Sequence, residues 1–284
     1  MNVDAAVLAG VAEQRRVGTT HRLTGDYAAA ETTLLAAIAA ASDAFGDGDV
    51  SVAVLRNDLA IAYKYAGRLA EAESLYWQAL PVLEDVLGPA SPWVATVLHN
   101  LGGIRHAQGD LAGAEQVARR GLEIRVALGD HDLAVAADRA ALAPIVDGLG
   151  RLDEAEALLR QALAVFVAEL GADHYEVAVA LHNLAATAFR RGDLDEAEAT
   201  AHRSLHVRAA ILGPDHPELA STLNNLAAIH RAQGRLDTAA DELRRALDLL
   251  TGAVEATHPT LVAVRDGLAD LEVRAASAGV LVPE

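Results

Sequence analysis

The chain has 284 residues, a formal net charge of −17 and only 4% aromatic residues. Abundant alanine and aliphatic residues with few prolines favour helix over strand. The absence of cysteine excludes a disulfide framework, a thiol nucleophile and a cysteine-bearing metal site, and the acidic balance argues against nonspecific binding to nucleic acid or anionic membrane. Met1 to Leu23 has no basic start followed by an apolar core, so no signal peptide is expected. No apolar run reads as long enough to cross a bilayer. A cytoplasmic location is the expectation.

Self-similarity organises the rest. Gly25, Gly67, Gly109, Gly150, Gly192 and Gly234 recur at spacings of 42, 42, 41, 42 and 42 residues. Two residues after each stands Tyr27, Leu69, Leu111, Leu152, Leu194 or Leu236, and three further on Ala30, Ala72, Ala114, Ala155, Ala197 or Ala239. The pattern predicts six helix–turn–helix units over residues 7–48, 49–90, 91–131, 132–173, 174–215 and 216–257. A capping helix is expected over 258–277, carrying Leu261, Leu268, Ala269 and Leu271, with a frayed tail after Ser277.

The unit from His216 shows the logic of each repeat. Leu219, Leu223, Leu226 and Ala227 form one buried stripe of a first helix. Gly234 ends it as a left-handed residue. A second helix turns Leu243, Ala246 and Leu250 inward. Pro217 suits the first turn of the first helix, where its missing N–H is not needed. Acidic residues such as Asp153, Glu154, Glu156, Asp195, Glu196 and Glu198 complement the positive end of the second-helix dipole. Small residues at Ala185, Ala197 and Ala227 permit close helix approach. The unit from Asp132 differs: Ala140 and Ala141 replace the asparagines, and Pro144 stands mid-helix near Gly148. A local bend is expected there. It reads either as a drifted repeat whose neighbours tolerate the kink or as a hinge.

The glycine, the following alanine and the Leu/Ala stripe resemble the tetratricopeptide repeat. Leu223-Asn224-Asn225-Leu226-Ala227, Gly234 and the link Leu212-Gly213-Pro214-Asp215-His216-Pro217 resemble its long, kinesin-light-chain-like variant. That resemblance implies an all-α, right-handed superhelical solenoid whose first helices line a concave groove. It further implies that groove asparagines and basic residues hold an extended peptide.

Read by spacing, the peptide-binding residues are Arg15, Arg16 and Arg22, then Asn57 and Lys64 (beside Asp58 and Tyr65), then His99, Asn100 and His106. The fourth unit offers little beyond Asp147. The fifth adds His182, Asn183 and Arg190, the sixth Asn224, Asn225 and Arg231, and the cap Asp266, Asp270 and Arg274. The expected groove is locally basic within an acidic chain. Asparagine amides donate and accept, and arginine forks suit carboxylates, so a peptide with acidic residues or a free C-terminus is the expected ligand. The bland alternative is that the asparagines bond neighbouring repeats and set register. The lysine and asparagine set of carboxylate-clamp repeats cannot be placed here.

Other chemistry is set aside. His202 and His206 share a helix at metal-ligand spacing, but no third ligand is evident, and the pair reads as exposed. His174, His216 and His258 recur at the links and read as capping or bonding helix ends. No phosphate loop, Gly-x-Ser-x-Gly elbow, helix-turn-helix or basic aromatic stripe is present. The expectation is a protein- or peptide-binding scaffold with no catalytic site, no metal and no cofactor, and with neither nucleic acid nor membrane as partner. Two alternatives stay open: a self-associating solenoid forming homo-oligomers, and an accessory or small-molecule-binding protein with a pocket near the fourth unit.

Overall fold

A computed structural model describes residues 3–129, 132–255 and 258–279. These residues form thirteen α-helices and no strand. In order they are α1 (Val3–Leu23), α2 (Tyr27–Phe45), α3 (Val50–Tyr65), α4 (Leu69–Leu87), α5 (Pro92–Ala107), α6 (Leu111–Leu128), α7 (Asp132–Gly148), α8 (Leu152–Leu170), α9 (Tyr175–Arg191), α10 (Leu194–Leu212), α11 (Leu219–Ala232), α12 (Leu236–Leu250) and α13 (Pro259–Gly279). The chain divides into two compact units, Met1–Leu149 with α1 to α7 and Gly150–Glu284 with α8 to α13. The tail after α13 lies outside the described residues.

Glycine sets the turn inside each repeat. The six repeat glycines have φ between +77° and +85°, the left-handed region in which a Cβ is strained. A second series, Gly46, Gly88, Gly171 and Gly213, ends the second helices at φ of 85–96° with ψ of 151–159°, a conformation open essentially to glycine alone. The residue after each repeat glycine alternates between aspartate and arginine. Asp26, Asp110 and Asp193 accept the backbone N–H three residues on and cap α2, α6 and α10. Arg68, Arg151 and Arg235 provide no such cap. They reach carboxylates instead: Arg68 pairs with Glu31 at 2.6 Å, Arg151 with Glu154 at 3.5 Å, and Arg235 with Glu198.

Packing follows from the small residues. Ala30, Ala72, Ala114, Ala155, Ala197 and Ala239 are all 0% exposed, so each marks the line where a second helix touches its neighbours. At Gly121 a Cβ would meet the Ala95 carbonyl oxygen and Leu98 Cβ at 3.3 Å, so glycine there lets α6 lie close on α5. Helix α2 departs from the sequence reading in one respect. By length and composition it is apolar enough to cross a bilayer. Here its Ala30, Leu34, Ala37 and Ala41 are buried, and it packs on α1 and α3.

Two local features bear on the sequence reading. α7 is a single helix running through Pro144, with Leu142, Ala143, Ile145 and Val146 buried around the proline. Core side chains pack around Pro144 itself, and an open cavity of about 620 Å³ lies at the fourth unit's turn among Gly150, Arg151, Leu152 and Arg190. The second feature is at the last repeat, where α11 begins at Leu219 and Pro217 lies in the turn before it.

Candidate functional site

In the second unit the first helices α9, α11 and α13 lie side by side. Two cavities open between them and share Ala228. One, about 330 Å³, has Asn224, Arg231 and Asp266 at its edge and Ala227, Ala263 and Leu271 in its walls. The other, about 210 Å³, lies among Ala185, Ala186, Phe189, Arg190, Asn225 and Ile229. Alanines at successive helical turns leave this floor shallow and apolar, because a methyl group reaches less far from the helix than any longer side chain. Amide and guanidinium groups rim it. Such a surface can bury small apolar side chains while its rim pairs with peptide N–H and C=O groups.

His182 and Asn225 join α9 to α11 at this face. The Asn225 amide Nδ2 lies 3.5 Å from His182 Nε2, at the long limit of a hydrogen bond, and Thr222 Oγ1 lies 3.3 Å from Nδ1. Burial, with a smaller contribution from the Arg208 charge, pushes the His182 pKa down to about 4. The ring is therefore neutral at pH 7. The amide N–H donates to Nε2, which leaves Nδ1–H to donate to the threonine oxygen. For these two residues the register role between repeats is what the geometry displays. Asn183 and Asn224 are partly buried on the same helices.

The expectation of a basic groove is corrected, because most of its cations sit beside carboxylates or are held back by burial. Arg231 pairs with Asp270 at 3.2 Å, joining α11 to α13. In the first unit Arg15 pairs with Asp58 at 2.5 Å, joining α1 to α3. Arg16 pairs with Glu13 on its own exposed helix face. Arg22 lies over the Tyr65 ring at 5.9 Å. Burial lowers the pKa of Lys64 and of His106. The surface is closer to a neutral amide-rich strip than to a cationic one. Arg190 is exposed, Asn100 is partly buried, and the Arg274 side chain lies outside the described residues.

Two further assignments change. Asn57 is 2% exposed and donates to Asp58 at 3.2 Å, so it faces the helix interface rather than a ligand. His99 Nδ1 lies 2.6 Å from one oxygen of Asp138, whose other oxygen forms an ion pair with Arg125, 2.8 Å from Nε. Asp138 is 4% exposed, so this triad is an internal brace between α5, α6 and α7. It escaped the sequence reading because its members lie 13 and 39 residues apart, outside any helical spacing. An apolar cavity of about 290 Å³ remains among α1, α3 and α5, beside Leu8, Val11, Arg15 and Trp93.

The link histidines act at helix starts. His174 Nδ1 accepts the Glu176 N–H and His216 Nδ1 accepts the Glu218 N–H, each at 3.2 Å. The His258 carbonyl accepts the Val262 N–H at 3.1 Å at the start of α13. His202 lies near Glu198 on its own helix α10 and near His230 on α11, and these three, rather than His202 with His206, form a group of potential ligands. The third ligand missing from the sequence reading is thus supplied by the next repeat.

Comparison with known proteins agrees with this architecture. The MalT-like TPR region matches residues 5–170, and a tetratricopeptide repeat family model matches 148–200 and 176–252. BtubC (BKLC) from P. vanneervenii is 23% identical with a TM-score of 0.61, over 91% of this chain and 95% of that one. A putative kinesin light chain with nearly identical TPR-like repeats from Podosopora anserina is 21% identical with a TM-score of 0.60, over 74% of this chain and 98% of that one. A Rap protein complexed with Competence and Sporulation Factor is 15% identical with a TM-score of 0.62, over 93% of this chain and 75% of that one. At these identities the likeness is one of fold. No curated protein sequence matches the chain. With the repeat glycines left-handed, the repeat alanines buried and the family models matched from residue 5 to residue 252, the chain belongs to the tetratricopeptide repeat family.

Proposed function

We propose that this protein is a non-catalytic scaffold that binds a protein or peptide segment on the face of α9, α11 and α13. The observation that carries the reading is the pair of cavities meeting at Ala228, with an apolar alanine floor and a rim of Asn224, Asn225, Arg190 and Arg231. Because Arg231 brings Asp270 with it, an uncharged or mixed-charge extended segment suits the face better than a strongly acidic one. Among structures of similar fold, one Rap protein was solved with Competence and Sporulation Factor and Cut9 was solved as a hetero-tetramer with Hcn1, which supports a protein partner. A chain without cysteine suits a reducing compartment, and a cytoplasmic site of action belongs to the same proposal.

The test is selection of binders from a displayed peptide library against the full chain, followed by affinity measurement on Ala228→Glu and Arg244→Glu. Ala228 is shared by both cavities, whereas Arg244 is exposed on α12. The reading expects Ala228→Glu to weaken the selected peptides at least about tenfold, or about 1.4 kcal/mol, and Arg244→Glu to leave them unchanged. Equal binding by both variants would refute it.

A further inference from the structure

We infer that Glu198, His202 and His230 form a zinc site between α10 and α11, with Glu242 of α12 orienting His230. Glu198 Oε1 lies 3.3 Å from His230 Nε2 and 3.8 Å from His202 Nε2, and all three ligand atoms lie within 4.8 Å of one another. A tetrahedral Zn²⁺ with ligand bonds of about 2.0–2.1 Å needs its ligands roughly 3.3–3.4 Å apart. Only a small closure of the half-exposed His202 side chain is required.

The surroundings are those of a held ligand set. His230 is 1% exposed, and its Nδ1 lies 2.8 Å from Glu242 Oε2. A neutral imidazole carries one N–H. With that proton donated to Glu242, Nε2 presents its lone pair toward Glu198 and His202, the form in which a histidine binds a metal ion. The carboxylate–histidine pairing is the one that fixes the tautomer and orientation of metal-bound histidines. Glu198 is held as well: its Oε2 accepts from Gln233 at 3.0 Å and from Arg235, which leaves Oε1 to the two histidines.

The repeat supplies an internal comparison. Glu73, Arg105 and Gln108 occupy the positions equivalent to Glu198, His230 and Gln233 three repeats earlier, counted from Gly67 and Gly109. There Arg105 Nε donates to Glu73 Oε1 at 3.1 Å, and Gln108 donates to Oε2 at 3.1 Å. Trp77 stands in the place of His202, with the Arg105 guanidinium 5.3 Å from its ring centre. A permanent cation thus closes the Glu73 node on Oε1. At the Glu198 node that place is taken by two imidazoles, which bind a metal through neutral nitrogen. Two histidines and one carboxylate suit Zn²⁺ with a fourth position open to water or to a donor from a partner.

The test is titration of the full chain with Zn²⁺ alone in competition with a chromophoric chelator, with Co²⁺ absorption as a second readout. The expected result is one equivalent bound, with the visible spectrum of four-coordinate Co²⁺. His202→Ala is the decisive variant, since that side chain is half-exposed and not part of the core. It should abolish competition with the chelator and the Co²⁺ spectrum while leaving helicity intact. Glu242→Gln should weaken binding about 10–100-fold, and His206→Ala should leave it unchanged. Absence of one-equivalent binding to the wild-type chain, undiminished binding by His202→Ala, or equal losses for His206→Ala and His202→Ala would each overturn the assignment.

Discussion

Lowering the pH from 7 toward 4 should loosen the contact between α9 and α11, because the buried His182 ring resists the proton that the unfolded chain takes up. In the folded chain its pKa lies at about 4 against an ordinary 6.5, because burial disfavours the imidazolium. Between those values the unfolded chain binds a proton that the folded chain does not. Stability from the neutral ring is therefore complete above about 6.5 and falls as the pH drops, until it is lost at about 4. The displacement corresponds to a contribution on the order of 3 kcal/mol, at roughly 1.4 kcal/mol for each pH unit. Glu198, whose pKa is lowered to about 2 chiefly by the Arg235 hydrogen bond, loses its contribution in a separate window below 4.5. The assay is NMR titration of the His182 ring, assigned with His182→Asn, together with hydrogen exchange of α9 and α11 amides between pH 7 and 4.5. Hydrogen exchange is the appropriate measure, since a chain of two compact units need not unfold in one step. A His182 ring titrating at 6.5 or above, or identical pH dependence of exchange in His182→Asn, would refute the reasoning.

Asp138→Ala removes the buried carboxylate that both His99 and Arg125 reach where α5, α6 and α7 meet. The expected loss is about 3–5 kcal/mol, read from the denaturant midpoint of the first unit, and a loss below about 1 kcal/mol would show that water replaces the brace. Pro144→Ala restores an N–H inside α7 and should stabilise that unit by about 1–3 kcal/mol. A lower midpoint would instead mean that the proline ring is needed in the packing around Leu142 and Ile145.

Local features were the legible ones. The glycine period, the buried alanines and the apolar stripes each require a residue type at a fixed offset along one helix, so they survive in the sequence. Side-chain direction across helices was less legible. Adjacent positions on a helix diverge by about 100°, so that of the pair Asn57 and Asp58 the first turns into the helix interface and the second meets Arg15. Contacts between repeats were hidden for a related reason. His202 and His230 are 28 residues apart, and Arg15 and Asp58 are 43 apart. Only superposing one repeat on the next places them together. The same superposition would have exposed the alternation of Asp26, Arg68, Asp110, Arg151, Asp193 and Arg235. The charge estimate failed because it counted arginines by face without the carboxylates that the neighbouring repeat brings to them.

The central claim is that a polypeptide ligand lies across α9, α11 and α13. Site-specific photo-crosslinking tests it most directly, with a photoreactive residue at Ala228 in one variant and at Arg244 in another, each mixed with a library-selected peptide. The account predicts a crosslinked adduct from position 228 that excess unlabelled peptide suppresses, and none from position 244. An adduct from 244 with none from 228 would place the ligand on the second helices and contradict it.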